Sequence, residues 1–288
     1  MQIRSVLFIV GVLLVCVGAS LVLPLGVSLW YGDGAFLGLL SSLVIMVGGG
    51  LALAYTNRSQ TPLNLTLRDG FAVVGICWIV ASFAGGLPFV LTSTASVTDA
   101  VFEAASGFTT TGATIFADIE GLPHGLLMWR SLTHWIGGLG IILLSLIVLP
   151  LLGVGGMQLY RAEVTGPSPD KLTPRMQDTA LTLWRVYCLM TIVVTVLLYI
   201  AGMDWFDALN HSYSTVATGG FSTKNNSIAA YPQASIQWIL IFFMFIAGIN
   251  FSLHAQALRG VVKVYLRDRE CRFYTVLLIL GSAVIVAG

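Results

Sequence analysis

Charge is scarce in this chain. Asp, Glu, Lys and Arg make up 9% of its 288 residues, where a soluble domain carries about 25%, so the composition argues against a fold surrounded by water. Cysteine is scarcer still: Cys16, Cys77, Cys188 and Cys271 stand singly, inside or at the edge of apolar segments. They form neither a disulfide framework nor a metal-ligand spacing, and all four read as small buried hydrophobes. The chain also lacks a nucleophile elbow with a Ser/His/Asp order, a P-loop, a zinc spacing and a dinucleotide fingerprint. It therefore reads as a non-enzyme that carries no cofactor. A net charge of +1 says nothing about partners by itself, and no nucleic acid is expected.

What the chain has is apolar length. Hydrophobic residues make up 57% of it, and its mean hydropathy is +0.89. Several nearly uncharged runs reach 18 residues or more, which predicts a polytopic helical membrane protein. The predicted spans cover 5–31, 35–55, 70–91, 124–152, 178–201 and 234–257, and a seventh apolar run starts at 273. Gly18-Ala19-Ser20 resembles a signal-peptide cleavage site. The apolar run nevertheless continues to Trp30-Tyr31, too long for a signal core and right for an uncleaved span. Gly137, Gly138 and Gly140 thin the surface of the fourth span and invite close helix contact. Residues 157–177 are polar and proline-rich, and Arg259, Lys263, Arg267, Arg269 and Arg272 form a basic stretch.

Two segments repeat each other 108 positions apart. Overlaid without a gap, Asp99 meets Asp207, Ala100 meets Ala208 and Ser106 meets Ser214, then Thr110 meets Thr218 and Gly112 meets Gly220. Each copy is a short amphipathic stretch that ends in a Thr/Gly turn between two long apolar runs. Backbone carbonyls aimed at one axis can replace the water of a monovalent cation without the full charge that would trap it. Turning successive carbonyls the same way demands a backbone that glycine adopts most easily, and Gly112 and Gly220 stand at matching places to supply it. Thr110, Thr111 and Thr218 can add oxygens or brace the loops. With Thr98-Asp99 and Asp204 as N-caps, each short helix aims its partly negative C-terminal end at the cavity. Asp99, Glu103, Asp118, Glu120 and Asp207 then form an acidic vestibule that enriches cations.

The basic residues predict an orientation. With the N-terminus in the cytoplasm and both loops outside, 12 of the 14 Lys and Arg residues face inward, and only Arg130 and Lys224 fall outside. The apolar parts of the two loop segments are too short to cross, so each enters and leaves on one face. Arg130 is expected to snorkel or to pair with a vestibule acid. His134 and His211 read as packed, hydrogen-bonded structural residues. Asn250 and His254, one turn apart in the sixth span, are expected to face the bundle or the ion path.

At this point the residues resemble a family. Val97-Thr98-Asp99-Ala100, Thr109-Thr110-Thr111-Gly112-Ala113-Thr114 and His134-Trp135-Ile136-Gly137-Gly138-Leu139-Gly140-Ile141 are similar to the TrkH/TrkG potassium-uptake proteins. So are Gly155-Gly156-Met157-Gln158-Leu159-Tyr160-Arg161-Ala162-Glu163 and Gly219-Gly220-Phe221-Ser222-Thr223. The resemblance covers essentially the whole chain. It implies an all-α fold of span–pore-helix–filter-loop–span repeats around a pseudo-fourfold axis, as in potassium channels, preceded here by a helical hairpin. The expected division is a hairpin at 1–57, a first repeat at 58–157, a cytoplasmic loop at 158–177, a second repeat at 178–258, and a basic loop with the start of a third repeat at 259–288.

By position, the resemblance implies potassium-binding filter residues at Thr110, Thr111 and Gly112, then Thr218, Gly219 and Gly220. Ala113, Phe221 and Asn250 are secondary candidates. Potassium is the transported ion, and it crosses the bacterial inner membrane. Serine at the first filter glycine goes with sodium transport in plant relatives, so Gly112 favours potassium. Family members are homodimers that dock a cytosolic nucleotide-binding ring protein of the TrkA type. A full member needs four repeats, so this chain is expected to be an N-terminal part that is not competent alone. The alternative is a non-transporting membrane scaffold or dimerising fragment of the same family.

Overall fold

The computed structural model describes residues 3–58, 67–151 and 172–287. Among these residues the regular structure is helical and no strand occurs. Of the polar run 157–177, residues 157–171 lie outside the described residues, as does the Gly155–Glu163 motif, and the chain is helical from Leu172.

The first hairpin pairs α1 (Ile3–Ser20) and α2 (Val22–Tyr31) with α3 (Phe36–Thr56). Leu21 interrupts the first arm because Pro24, three positions on, has no N–H to donate and crowds the carbonyl one turn back. Gly11 of α1 and Gly50 of α3 lie so close that a Cβ on either would strike the other's backbone. Small residues let the two helices approach backbone to backbone without water to drive them together.

The next unit is α4 (Leu67–Leu91), a short α5 (Val97–Phe108) and the long α6 (His124–Leu151). The pattern returns in α7 (Leu172–Ile200), a short α8 (Trp205–Val216), and a last arm made of α9 (Ala234–Ala247) and α10 (Phe251–Leu258). After these come α11 (Val264–Arg267) and α12 (Arg269–Ala287). Ile3–Tyr31, Phe36–Thr56, Asp69–Leu91 and Asp178–Ile200 are each long and apolar enough to cross a membrane, and α9 with α10 adds a fifth if the bent pair is one span. At 28 residues, α6 is about 42 Å long.

The sixth predicted span is not continuous. It bends by 101° between α9 and α10. Gly248 ends α9, and Asn250 restarts the chain as an N-cap, its side chain accepting from the Ser252 N–H at 3.0 Å. Phe245 stacks on Tyr274 of α12 with ring centroids 5.5 Å apart, and a Cβ at Gly248 would run into the Tyr274 hydroxyl. His254 holds the corner from below: its ring bonds the Ile246 carbonyl at 3.0 Å and the Tyr265 hydroxyl at 2.8 Å. The carbonyl can only accept, so Nε2 carries the proton and Nδ1 accepts from Tyr265. His254 is buried in the bundle as expected, whereas Asn250 is exposed at the start of α10 and does not face it.

Two apolar cores flank α6. One gathers Leu39, Phe89, Phe108, Leu126, Met128 and Trp129, and the other Tyr187, Val194, Leu198, Ile236, Leu240 and Phe251. Trp135 packs against both, so α6 is the wall the two repeated units share. Of the four cysteines only Cys271 is buried, and Cys16 is exposed on α1. The reading of all four as buried fails because much of each helix surface faces outward in a chain whose surroundings are themselves apolar.

Candidate ion-path site

Both short helices close in the same way. Thr110 lies at φ 55° and Thr218 at φ 56°, in the left-handed region. In the first copy Thr110 N–H donates to the Gly107 carbonyl at 3.0 Å and Thr111 N–H to the Ser106 carbonyl at 2.9 Å. In the second, Thr218 N–H donates to Thr215 at 3.1 Å and Gly219 N–H to Ser214 at 2.8 Å. These are paired Schellman caps, which ordinarily place glycine at the left-handed residue. A threonine there costs about 1–2 kcal/mol. Two residues on, Gly112 (φ 77°) and Gly220 (φ 97°) return to positive φ. Each loop thus alternates left-handed, not left-handed, left-handed over three residues.

The helix starts differ from expectation in one copy. Asp204 caps α8 by accepting from Phe206 N–H at 3.0 Å, as expected. The N-cap of α5 is Ser96, which accepts from the Asp99 N–H at 3.3 Å while its hydroxyl donates to Asp99 at 2.7 Å. Ser96 sits one residue before the helix, where its oxygen reaches the N3 amide, and Thr98 and Asp99 already lie inside the first turn.

The two loops meet backbone to backbone. A Cβ at Gly112 would run into the Gly219 carbonyl oxygen. Behind them, α6 presents Gly137 against the Phe108 carbonyl and Gly138 against Ala217, so both helix ends rest on one thin stripe. Gly140, also expected in that stripe, meets only the far edge of Trp78, at 4.0 Å.

Polar side chains then tie each loop to its helix. Glu103 lies 108 positions before His211, and Thr114 lies 108 before Ser222. Glu103 accepts from the Thr114 hydroxyl and the Ile115 N–H, both at 3.0 Å. His211 bonds the Asp207 carbonyl at 2.8 Å and the Ser222 hydroxyl at 3.0 Å. The same two repeat positions are joined in both copies, once through a carboxylate and once through a neutral ring. Ser214 adds a bond the first copy lacks: its hydroxyl accepts from Gly220 N–H at 2.9 Å and touches His134 Nδ1 at 3.2 Å. Its counterpart Ser106 has no partner for its buried hydroxyl. His134 stacks on Phe221 with centroids 4.0 Å apart.

Among the described residues, Arg130 and Lys224, the two cations expected outside, are the two found in ion pairs with the short helices. Arg130 Nε meets Glu103 at 2.7 Å, and both side chains are about 1% exposed or less. Lys224 Nζ meets Asp207 at 3.1 Å. Asp207 also accepts from the Thr223 and Tyr231 hydroxyls, each at 2.7 Å. Burial alone would raise this carboxyl, but the bonds from Thr223, Tyr231 and Lys224 outweigh it and hold its pKa below the usual carboxylate value. The acidic vestibule is correspondingly smaller than expected. Glu103 and Asp207 are buried and committed, and Asp118 and Glu120 hold Asn225, through its side chain at 3.1 Å and its N–H at 3.0 Å.

The sequence-derived filter residues Thr110, Thr111, Gly112, Thr218, Gly219 and Gly220 therefore fall on two loops in contact, with Ala113 and Phe221 next to them. Phe221 is buried and serves as packing. Asn250 is exposed and spends its side chain on the α10 cap. A cavity of about 480 Å³ lies against the second loop, lined by Thr218, Gly219, Gly220, Met244, Gly248 and Tyr274 among others, and Asn250 is outside that lining. Arg130 pairs with a vestibule acid as expected, but sequence reasoning missed its reach to Thr114 and Ser222 and the bonds of Ser214. A basic residue on the wrong side of the charge rule was the available signal for the first. Among the described residues no group of three His, Cys, Asp or Glu side chains is placed to hold a metal.

These features define a multi-pass helical membrane protein built from repeated span, short helix, Thr/Gly loop and span. The TrkH family profile, described as a cation transport protein, matches residues 40–287. The chain is 43% identical to the Trk system potassium uptake protein TrkH of Halomonas elongata, over 100% of this chain and 60% of that one. It is 42% identical to TrkH of Escherichia coli K12, over 95% and 57%, and 38% identical to TrkG of the same organism, over 99% and 59%. The crystal structure of the potassium transporter TrkH from Vibrio parahaemolyticus superposes with a TM-score of 0.87 at 36% identity, covering 97% of this chain and 57% of that one. The chain belongs to the TrkH family, and it spans less than two thirds of the length of these relatives.

Proposed function

We propose that this chain contributes two of the loops that line a potassium path across the bacterial inner membrane. The observation that carries this reading is the matched pair of left-handed positions, Thr110 and Gly112 in one loop and Thr218 and Gly220 in the other. Such alternation turns neighbouring carbonyls toward one side, which is what a dehydrated cation requires. Thr111 and Gly219 lie between the paired positions and complete the proposed lining. The names and fold of the relatives favour potassium as cargo. Residues 58–157 and 178–258 are the two repeats, and 1–57 is a separate hairpin. The N-terminus faces the cytoplasm, in keeping with the distribution of basic residues. Homodimerisation and docking of a cytosolic nucleotide-binding regulator of the TrkA type follow from the family resemblance.

Rubidium and sodium uptake should be measured in cells stripped of their own potassium transporters. Both this chain and the longest reading frame that contains it should be expressed. Uptake that prefers rubidium, and that Gly220→Ser alters, supports the path. Membrane insertion with no cation uptake from either would leave the scaffold reading in its place.

A further inference from the structure

We propose that Arg130 is a positioning residue that sets the spacing of the two loops and thereby which alkali cation the path accepts. The inference rests on the path reading above and concerns how that path is held. One guanidinium, about 1% exposed, donates in three directions. Nε reaches Glu103 at 2.7 Å, Nη2 the Thr114 hydroxyl at 3.2 Å, and Nη1 the Ser222 carbonyl at 3.2 Å. Its carbon also lies 4.2 Å from the Phe221 ring centroid. Thr114 stands two residues after Gly112, and Ser222 stands two residues after Gly220. Arg130 therefore grips the same repeat position in both loops at once, and its counterpart 108 positions on is the exposed Trp238. Elsewhere the loops meet where Gly112 faces the Gly219 carbonyl, and the segments that follow them are joined through Asn225, which bonds Asp118, Ile119 and Glu120.

The planar fork of arginine suits this task. It offers donors in fixed directions, and lysine offers a point charge on a flexible stem. A buried ion pair is a poor source of stability, because desolvation offsets the attraction. Its clearest use here is geometric: it ties helix, first loop and second loop to one rigid plane. Selection among alkali cations depends on the number and placement of oxygens around the ion, so a change in loop spacing changes preference before it abolishes passage.

The test compares Arg130→Lys and Thr114→Val with the parent, in the longest reading frame that contains this chain. The readout is the ratio of rubidium to sodium uptake at matched amounts of folded protein in the membrane. Arg130→Lys keeps the charge and loses the fork, and the ratio is expected to fall about tenfold, as for one misplaced charged hydrogen bond. Thr114→Val removes the hydroxyl that accepts from Arg130 and Phe116 N–H and donates to Glu103, but it leaves Arg130 its bonds to Glu103 and Ser222, and the expected fall is about threefold. An unchanged ratio in both variants overturns the proposal. Failure of both to reach the membrane assigns Arg130 to folding alone and overturns it as well. A parent protein with no cation preference sinks the path reading itself, before any substitution is made.

Discussion

The first Thr/Gly loop exposes Thr109, Thr111, Ala113 and Thr114, whereas in the second Gly219 and Phe221 to Thr223 are buried and only Thr218 and Gly220 are exposed. The two backbones match in their left-handed positions, yet their surroundings differ. α6 lies behind the second loop through His134 and Phe221, and Ser214 braces Gly220 from within. The first loop has no such brace from Ser106 and is held by charge, through Glu103 and Arg130. A repeated backbone can thus be secured by unlike chemistry in each copy, and the two locks should fail under different treatments.

The largest expected effect is on the charged lock. Glu103→Ala leaves Arg130 buried without its carboxylate, which costs about 3–5 kcal/mol. Thermal denaturation of the purified protein measures it. The double variant Glu103→Leu with Arg130→Met should lose less than Glu103→Ala alone, because no unpaired charge remains. Equal losses would show that the lock contributes packing only.

Glycine separates the loops next. Gly112→Ala adds a Cβ directed at the Gly219 carbonyl, on top of a left-handed backbone. Gly220→Ala meets open space and suffers the backbone cost alone. Expected losses are about 3 kcal/mol for the first and about 1–2 kcal/mol for the second, read by the same denaturation. A serine at 112 therefore probes two loops at once, and the cleaner test of the path itself is made at 220. Equal losses would deny the contact between the loops.

Much of this was legible in the sequence. The 108-residue offset found both loops, and the paired glycines marked where positive φ would fall. It did not reveal that Thr110 and Thr218 share that conformation, because threonine propensity argues against it and only the Schellman bonds impose it. The bend at Gly248–Asn250 was hidden for a similar reason: the run 234–257 carries no Asp, Glu, Lys or Arg, and composition cannot distinguish a straight span from a broken one. Arg130 was visible as an exception to the charge rule, but its reach to Ser222, 92 positions away, is a tertiary fact.

Acid should distinguish the neutral lock from the charged one. Burial is the main cause that lowers the His211 pKa beneath its ordinary 6.5, the Lys224 charge lowers it further, and the Asp207 carbonyl and carboxylate pull the other way. The unfolded chain then binds a proton that the folded chain resists, so this contribution falls as pH drops below 6.5. Hydrogen exchange, corrected for its intrinsic pH dependence, should show lost protection at 217–223 and none at 109–114 between about pH 7 and 5. His211→Gln should remove the step. The same loss in both segments would mean that a global transition, and not His211, is responsible.

The smallest effect bears on why threonine occupies the caps at all. Thr110→Gly and Thr218→Gly remove a left-handed cost of about 1–2 kcal/mol each and incur about 0.5–1 kcal/mol from the freer unfolded chain. Each is therefore expected to stabilise by roughly 0.5–1 kcal/mol, the difference of those two costs. If both variants are more stable and cation uptake is unchanged, the threonines have no part in the path. A rise in stability with a fall in uptake would place their side chains among the groups the ion meets, with the backbone cost retained for that contact. Thr218 should show the larger fall, because it and Gly220 are the residues the buried second loop leaves exposed, whereas the first loop presents several threonines and tolerates the loss of one.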